Sequence, residues 1–185
     1  MKEPEPIYFP EEYKVLGADL SLKRPGFCLL TVEQKKNGAE ITDVELVSVD
    51  NKTDKKKTHG ELLNDILDCF YKLVPPFNNF FLVRENEIMK VKVPSERSLS
   101  KVVGLMDWAA YRLHPPVEWN SIYPVTIKKL IAGSGKAEKS EVAEALERYI
   151  GKQEYKCDDE SDAAAVAIAW LIQQGQIESK ENADG

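Results

Sequence analysis

Histidine is nearly missing from this 185-residue chain: the two present, His59 and His114, stand far apart. That excludes a histidine-built metal centre and leaves no imidazole pair for acid-base work. Cysteine is almost as scarce. Cys28, Cys69 and Cys157 form an odd, widely spaced set with no CxxC pair, so neither a zinc ribbon nor a disulfide framework is encoded, and reduced thiols in a cytoplasmic setting are expected. No uncharged run approaches the roughly 18 residues of a membrane span. The opening MKEPEPIYFPEEY lacks both the basic and the apolar parts of a secretion signal, so no membrane partner is expected.

A basic excess is lacking too, since the formal net charge is -6 and the pI about 5.1. Phosphate backbones are bound through lysine and arginine, and a uniformly acidic surface would repel them. The acid is unevenly spread, however. Residues 1–12 carry -3, residues 173–185 carry -2, and four carboxylates discussed below carry -4, which leaves a body of about +3. We expect an acidic N-terminal extension over 1–12, one domain over 13–175, and an acidic flexible tail over 176–185. With 43% hydrophobic residues, a domain of this length buries enough surface to fold without disulfides or structural zinc.

Apolar runs come first as strands. Residues 14–20, within and just past the apolar run YKVLGAD that Asp19 ends, predict a buried strand, while GFCLLTVE (26–33) and AEITDVELVSV (39–49) flank an Asn37-Gly38 hairpin signal. Thr58-His59-Gly60-Glu61 is a capping box, and the helix after it repeats Leu62, Ile66, Cys69, Phe70 and Leu73 at helical period until Pro75-Pro76. FFLVRE (80–85) then reads as a strand parallel to the first, because a helix long enough to cross over precedes it. Lys90, Lys92 and Arg97 lead to a long helix over 98–113, stopped by Pro115-Pro116. A short strand (117–123) and helices over 124–132, 139–150 and 159–174 complete the chain. The pattern is an α/β layer fold: a mixed five-stranded sheet, three antiparallel strands then parallel strands, flanked by helices.

Four carboxylates punctuate this pattern. Asp19 ends the first strand, Glu85 ends FFLVRE, and Asp159 and Asp162 open the last helix three residues apart, on one face of its first turn. A single Asp after a strand is ordinarily a turn residue, and DDESD by itself is ordinarily a helix cap. Four acids gathered at strand ends and a helix start are a different matter, because unpaired carboxylates beside apolar strands are costly and a hard divalent cation compensates them with oxygen ligation. Such a set suits phosphodiester hydrolysis.

These segments resemble the RuvC-type Holliday junction resolvases of the RNase H-like superfamily over roughly residues 14–174. LGADLSLKRPGF is similar to the family's opening strand, FFLVRENEIM to its glutamate strand, IYPVTIKKLIAGSGKAEKSEV to its basic helix and loop, and DDESDAAAVAIA to its closing Asp-x-x-Asp-Ala motif. The resemblance implies an RNase H-like fold and metal ligation by Asp19, Glu85, Asp159 and Asp162. It also implies DNA contact or assistance to catalysis by Lys128, Lys136 and Lys139, with Mg2+ as cofactor, Mn2+ as substitute and two ions per site. The implied activity is symmetric nicking of branched, four-way DNA by a homodimer joined through the helix 98–113, with Met106 and Trp108 as candidate contacts. One departure stands out, since Ile88 occupies a position three after the glutamate where the family commonly has an aromatic residue. Other branched DNA or structured RNA is therefore the alternative substrate, and a non-catalytic nucleic-acid-binding module of the same fold the alternative function.

Glu87, two residues past Glu85, shares its face if the strand continues and is a substitute ligand. AGSGKAE resembles a phosphate loop, but Leu130 stands where its first glycine belongs and Ala137 where Ser or Thr would hold magnesium, so no nucleotide cofactor is expected. An actin- or sugar-kinase-like ATPase would also need a second phosphate motif, which the sequence does not show.

Overall fold

A computed structural model describes residues 7–51, 56–74, 79–86 and 94–179, with residues 94–97 described in backbone only. The sequence forms β1 (Glu12–Asp19), β2 (Gly26–Lys35), β3 (Gly38–Ser48), α1 (His59–Leu73), β4 (Phe80–Glu85), α2 (Pro94–Tyr111), β5 (Trp119–Ile122), α3 (Pro124–Ala132), α4 (Lys139–Ile150) and α5 (Asp158–Gln173). The sheet order is β3-β2-β1-β4-β5. The first three strands pair antiparallel, and β4 pairs parallel to both β1 and β5, as the alternation of runs and crossovers predicts. No helix among the described residues is long and apolar enough to cross a membrane.

Period-two alternation divides the strand side chains between two apolar clusters, one on each face of the sheet. Leu16, Phe27, Leu29 and Leu82 join Ile66 and Phe70 of α1 and Val102 and Met106 of α2. On the other face Val15, Cys28, Leu30 and Val83 meet α3, α4 and the whole length of α5. Helix α5 is buried continuously from Ala163 to Ile172. A helix apolar on all sides is one covered on all sides, and here the sheet lies beneath it with α3 and α4 against its flanks.

Several boundaries differ from those the sequence suggests. Helix α2 starts a turn earlier, at Pro94 rather than residue 98; proline fits a first helical turn, where its missing N–H is not needed. Strand β5 is shorter than 117–123. The Val117 amide donates to Ala110 O at 3.2 Å instead of joining the sheet, and Tyr123 is taken as the N-cap of α3 with Pro124 behind it. The hairpin loop is Lys36-Asn37, with Gly38 at φ +124 pairing with Lys35. Met106 requires a correction: it is 0% exposed and packs into its own chain's core, so it is no partner contact, whereas Trp108 is 52% exposed on the outward face of α2. The i, i+4 and i+7 periodicity that puts Val102, Met106 and Ala109 inward leaves Trp108 outward.

Both ends of the described chain touch the body. Phe9 stacks on Tyr13, Phe81 and Trp170 with centroids 5.1 to 5.8 Å apart, and Tyr13 donates from its hydroxyl to Gln176 Oε1 at 3.1 Å. The Ala39 amide also donates to Gln176 O at 2.8 Å.

Two glycines set the distance between α5 and the sheet. A Cβ at Gly17 would lie 2.4 Å from Ala163 O, and one at Gly26 would lie 1.9 Å from Asp159 O. Both obstacles are backbone, so neither yields by a rotamer change. Gly26→Ala and Gly17→Ala are each expected to lower unfolding free energy by about 1–3 kcal/mol or more. Gly104→Ala, on an exposed turn of α2 with nothing within 4 Å of the added carbon, is expected to raise it by about 0.5–1 kcal/mol. Urea unfolding of the three variants checks the contrast.

Candidate functional site

The parallel pairing of β1 with β4 runs from Lys14↔Phe80 to Ala18↔Arg84, so the next residues, Asp19 and Glu85, end neighbouring strands side by side on one edge of the sheet. Asp19 is also in register with Gly26 on its other side. That glycine leaves room for the first turn of α5, whose backbone carbonyl at Asp159 lies over it. One turn along, Asp162 points into the same space. The two strand ends and the helix start are thus brought together by pairing register and by one missing side chain.

A cleft of about 260 Å³ opens there, lined by Asp19, Glu85, Asp162, Lys128 and Lys139 over an apolar floor of Pro124, Ile127, Val142 and Ala165. Lys139, the first residue of α4, forms a hydrogen-bonded ion pair with Asp162. Lys128 on α3 is half-buried and also lines the cleft. Asp159 does not line the cleft, although its charge acts on Asp19. Lys136 is exposed on the loop before α4, outside the lining, where its amide donates to Ser134 Oγ at 3.3 Å. Glu87 and Ile88 lie outside the described residues, as do Lys90 and Lys92. Neither histidine belongs to the cleft: His59 Nδ1 contacts Lys101 Nζ at 3.3 Å, and His114 Nδ1 contacts Arg112 O at 3.1 Å.

The electrostatics are those of crowded acids. Burial pushes the Asp19 carboxyl up to about 7, and the charges of Asp162, Glu85 and Asp159 add to the effect against the pull of Lys139. Burial likewise raises Glu85, helped by Asp162 and opposed by Lys139 and Lys128. Lys139 is held above its usual range, chiefly by its hydrogen bond to Asp162. Desolvation and like charge both disfavour the ionised carboxylates, which is the condition a bound cation relieves. The acids share this space without closing into a cage: among the described residues, no three His, Cys, Asp or Glu side chains are gathered as a finished metal site.

Sequence patterns passed over several residues that build the site. Glu160 is 1% exposed, accepting from Ser48 Oγ at 2.8 Å and from the Lys156 amide at 2.8 Å. It ties the first turn of α5 to the end of β3 and so fixes the direction of the acids on either side. Its partner Ser48 is 112 positions away, a separation at which no local pattern gives notice. Arg84, beside Glu85, pairs with Asp107 on α2 at 2.7 Å. Gly17 and Gly26 carry a signal in principle, since glycine inside a strand marks close backbone approach.

The described family "Crossover junction endodeoxyribonuclease RuvC" matches residues 15–170. A protein of that name from Synechococcus sp. (strain RCC307) is 31% identical over 164 residues, covering 85% of this chain and 98% of its own. Among solved structures, Thermus thermophilus RuvC superimposes with a TM-score of 0.69 at 21% identity, covering 88% of this chain and 97% of that one. The same protein in complex with a Holliday junction substrate gives 0.68 at 20% identity, with coverage of 85% and 92%. These two likenesses establish a shared RNase H-like fold, and the sequence match over most of the length establishes kinship: the chain belongs to the RuvC family of crossover junction endodeoxyribonucleases.

Proposed function

We propose that this protein is a Mg2+-dependent endodeoxyribonuclease that resolves four-way DNA junctions, working in the cytoplasm as a homodimer. The observation that carries the reading is the convergence of Asp19, Glu85 and Asp162 with two lysines in a single open cleft. The donor set fits a hard dication. It is all oxygen, it is short of positive charge, and its most perturbed member, Asp19, is one whose ionised form a nearby cation would favour. Asp19, Glu85 and Asp162, which line the cleft, would hold Mg2+, or Mn2+ in its place; Asp159, outside the lining, would join them as a fourth ligand through its resemblance to the family's Asp-x-x-Asp motif, and two ions per site suit four carboxylates. When bound, the metal supplies activation of the attacking water and stabilisation of charge developing on the phosphate.

The remaining work falls to side chains of this chain. Lys139 and Lys128 line the cleft beside the acids, where their positive charge suits incoming phosphate oxygens. Lys139 also orients Asp162 through their ion pair. Lys136, exposed on the adjoining loop, suits a backbone phosphate flanking the cut, a contact that positions the duplex without reading its sequence. The apolar floor of Ile127, Val142 and Ala165 limits water around the acids. On the outward face of α2, Trp108 is 52% and Tyr111 70% exposed, with the Arg112 guanidinium 5.9 Å from the Trp108 ring centroid. An aromatic and arginine patch of this kind suits a second copy, which would bring two clefts to one junction.

A labelled synthetic four-way junction in Mg2+ is expected to give paired symmetric nicks, while linear duplex, flap and single-stranded controls are cut far less. Asp162→Asn is expected to lower the rate by at least about 100-fold, more than the loss of a ligand's outer partner costs. Equal cutting of all substrates would leave the nuclease and remove the junction preference.

Stability offers a check that does not depend on cleavage. The Asp19 carboxyl titrates near 3.8 in a free side chain and about 7 in the fold. Between those values the native state holds more protons than the unfolded state, so metal-free stability falls as pH rises through the interval. Asp19→Asn is expected to reduce that slope, leaving the share of the raised Glu85, and, in EDTA at about pH 8, to raise Tm by at least about 2 °C. Mg2+ is expected to raise the Tm of the unsubstituted protein at that pH and to leave Asp19→Asn nearly unchanged. Thermal melts across pH, with and without metal, measure both effects.

A further inference from the structure

We propose that Arg84 is the positioning residue for Glu85, and that Asp107 and Trp119 hold it so that helix α2 braces the carboxylate end of β4. The proposal rests on the reading of Glu85 as a metal-holding residue given above. Along β4, Phe80 and Leu82 face the α1 and α2 cluster while Phe81 and Val83 face α5. Continuing the alternation puts Arg84 on the α2 side and Glu85 in the cleft. Arg84 is therefore behind the site rather than in it, and the charges that act on Glu85 are those of Asp162, Lys139 and Lys128.

Three contacts converge on that guanidinium and its surroundings. Arg84 Nη1 donates to Asp107 Oδ1 at 2.7 Å, and its guanidinium carbon lies 5.7 Å from the Trp119 ring centroid. Trp119 in turn donates from Nε1 to Met106 O at 3.0 Å, next to Asp107 on α2. Strand β4, strand β5 and helix α2 are thereby joined through one planar side chain. Its cationic end is the best covered in any described ion pair, 19% exposed against 30% or more for the others. An apolar residue would also pack on Trp119, but a cationic donor is what ties the strand to a carboxylate on the helix. Ahead of Glu85 the brace restrains the strand from one face; just past it, the Asn86 amide donates to Ile122 O at 2.7 Å.

The sign of one measurement separates a brace from a charge effect. Removing a positive charge near a cation site by Arg84→Met would tighten divalent binding by simple electrostatics, whereas losing a brace on Glu85 weakens it. We expect calorimetric Mn2+ titration to show about 10–100-fold weaker binding for Arg84→Met and for Asp107→Asn, with kcat on a junction falling in parallel and KM little changed. The double variant should be no worse than the worse single, because both remove one contact. Arg84→Lys should recover only part of the loss, and because it keeps the charge, it carries the test if Arg84→Met does not fold. Unchanged or tighter Mn2+ binding in these variants, beside an active unsubstituted enzyme, would overturn the brace and leave the nuclease reading intact. An unsubstituted protein that cuts no DNA in Mg2+ or Mn2+ would instead overturn the function on which the brace rests.

Discussion

Gly17 and Gly26 let the backbone of α5 lie directly on β1 and β2, and the position of every cleft residue on α5 follows from that approach. With a Cβ at either glycine the helix would have to rise, because its own carbonyl groups occupy the space. The first turn would then carry Asp159 and Asp162 away from Asp19. The alanine-rich stretch Ala163 to Ala165 belongs to the same arrangement, since small buried side chains on α5 let the helix meet the sheet at short range. Catalytic geometry and core packing are here one constraint. The buried residues under α5 are as much a part of the site as the acids that line it.

A second consequence concerns charge. Packing the helix start against the strand ends concentrates carboxylates where solvent is excluded, and Asp19 bears most of the cost. The fold compensates in part with fixed groups. Lys139 pairs with Asp162, and a serine hydroxyl and a backbone amide both donate to the buried Glu160. Glu160 and Asp19 thus show two fates of a carboxylate within one helix turn of the sheet. The one whose hydrogen bonds are met inside the protein serves the architecture, and the one left facing acids is available for chemistry.

Much of this arrangement was legible in the chain. Strand runs, the capping box at Thr58 to Glu61 and the proline-started helix at Pro124 each carry local patterns that the fold respects. The acids at 19, 85 and 162 were visible because they interrupt apolar segments, and a parallel neighbour for the first strand follows from the crossover rule. What stayed hidden depends on distant partners. Met106 has the composition of an interface residue, and only the phase of α2 against α1 shows that it faces inward. Glu160 reads as one more acid in DDESD until Ser48 is placed beside it. Lys136 looks equivalent to Lys139 in sequence, yet the turn into α4 sends one into the cleft wall and the other to the surface.

The same reasoning explains how an acidic protein accommodates a polyanion. Net charge is a sum over the whole surface, whereas phosphate recognition depends on the field within about a Debye length, near 10 Å at ordinary salt. In the cleft that field is a close mixture: three carboxylates against Lys128 and Lys139. Without a cation the mixture repels a phosphate, and with one the balance changes sign while the lysines stay where they are. On the proposed reading, substrate affinity as well as rate should therefore depend on the divalent ion, because the cation reverses the charge balance that a phosphate meets at the cleft.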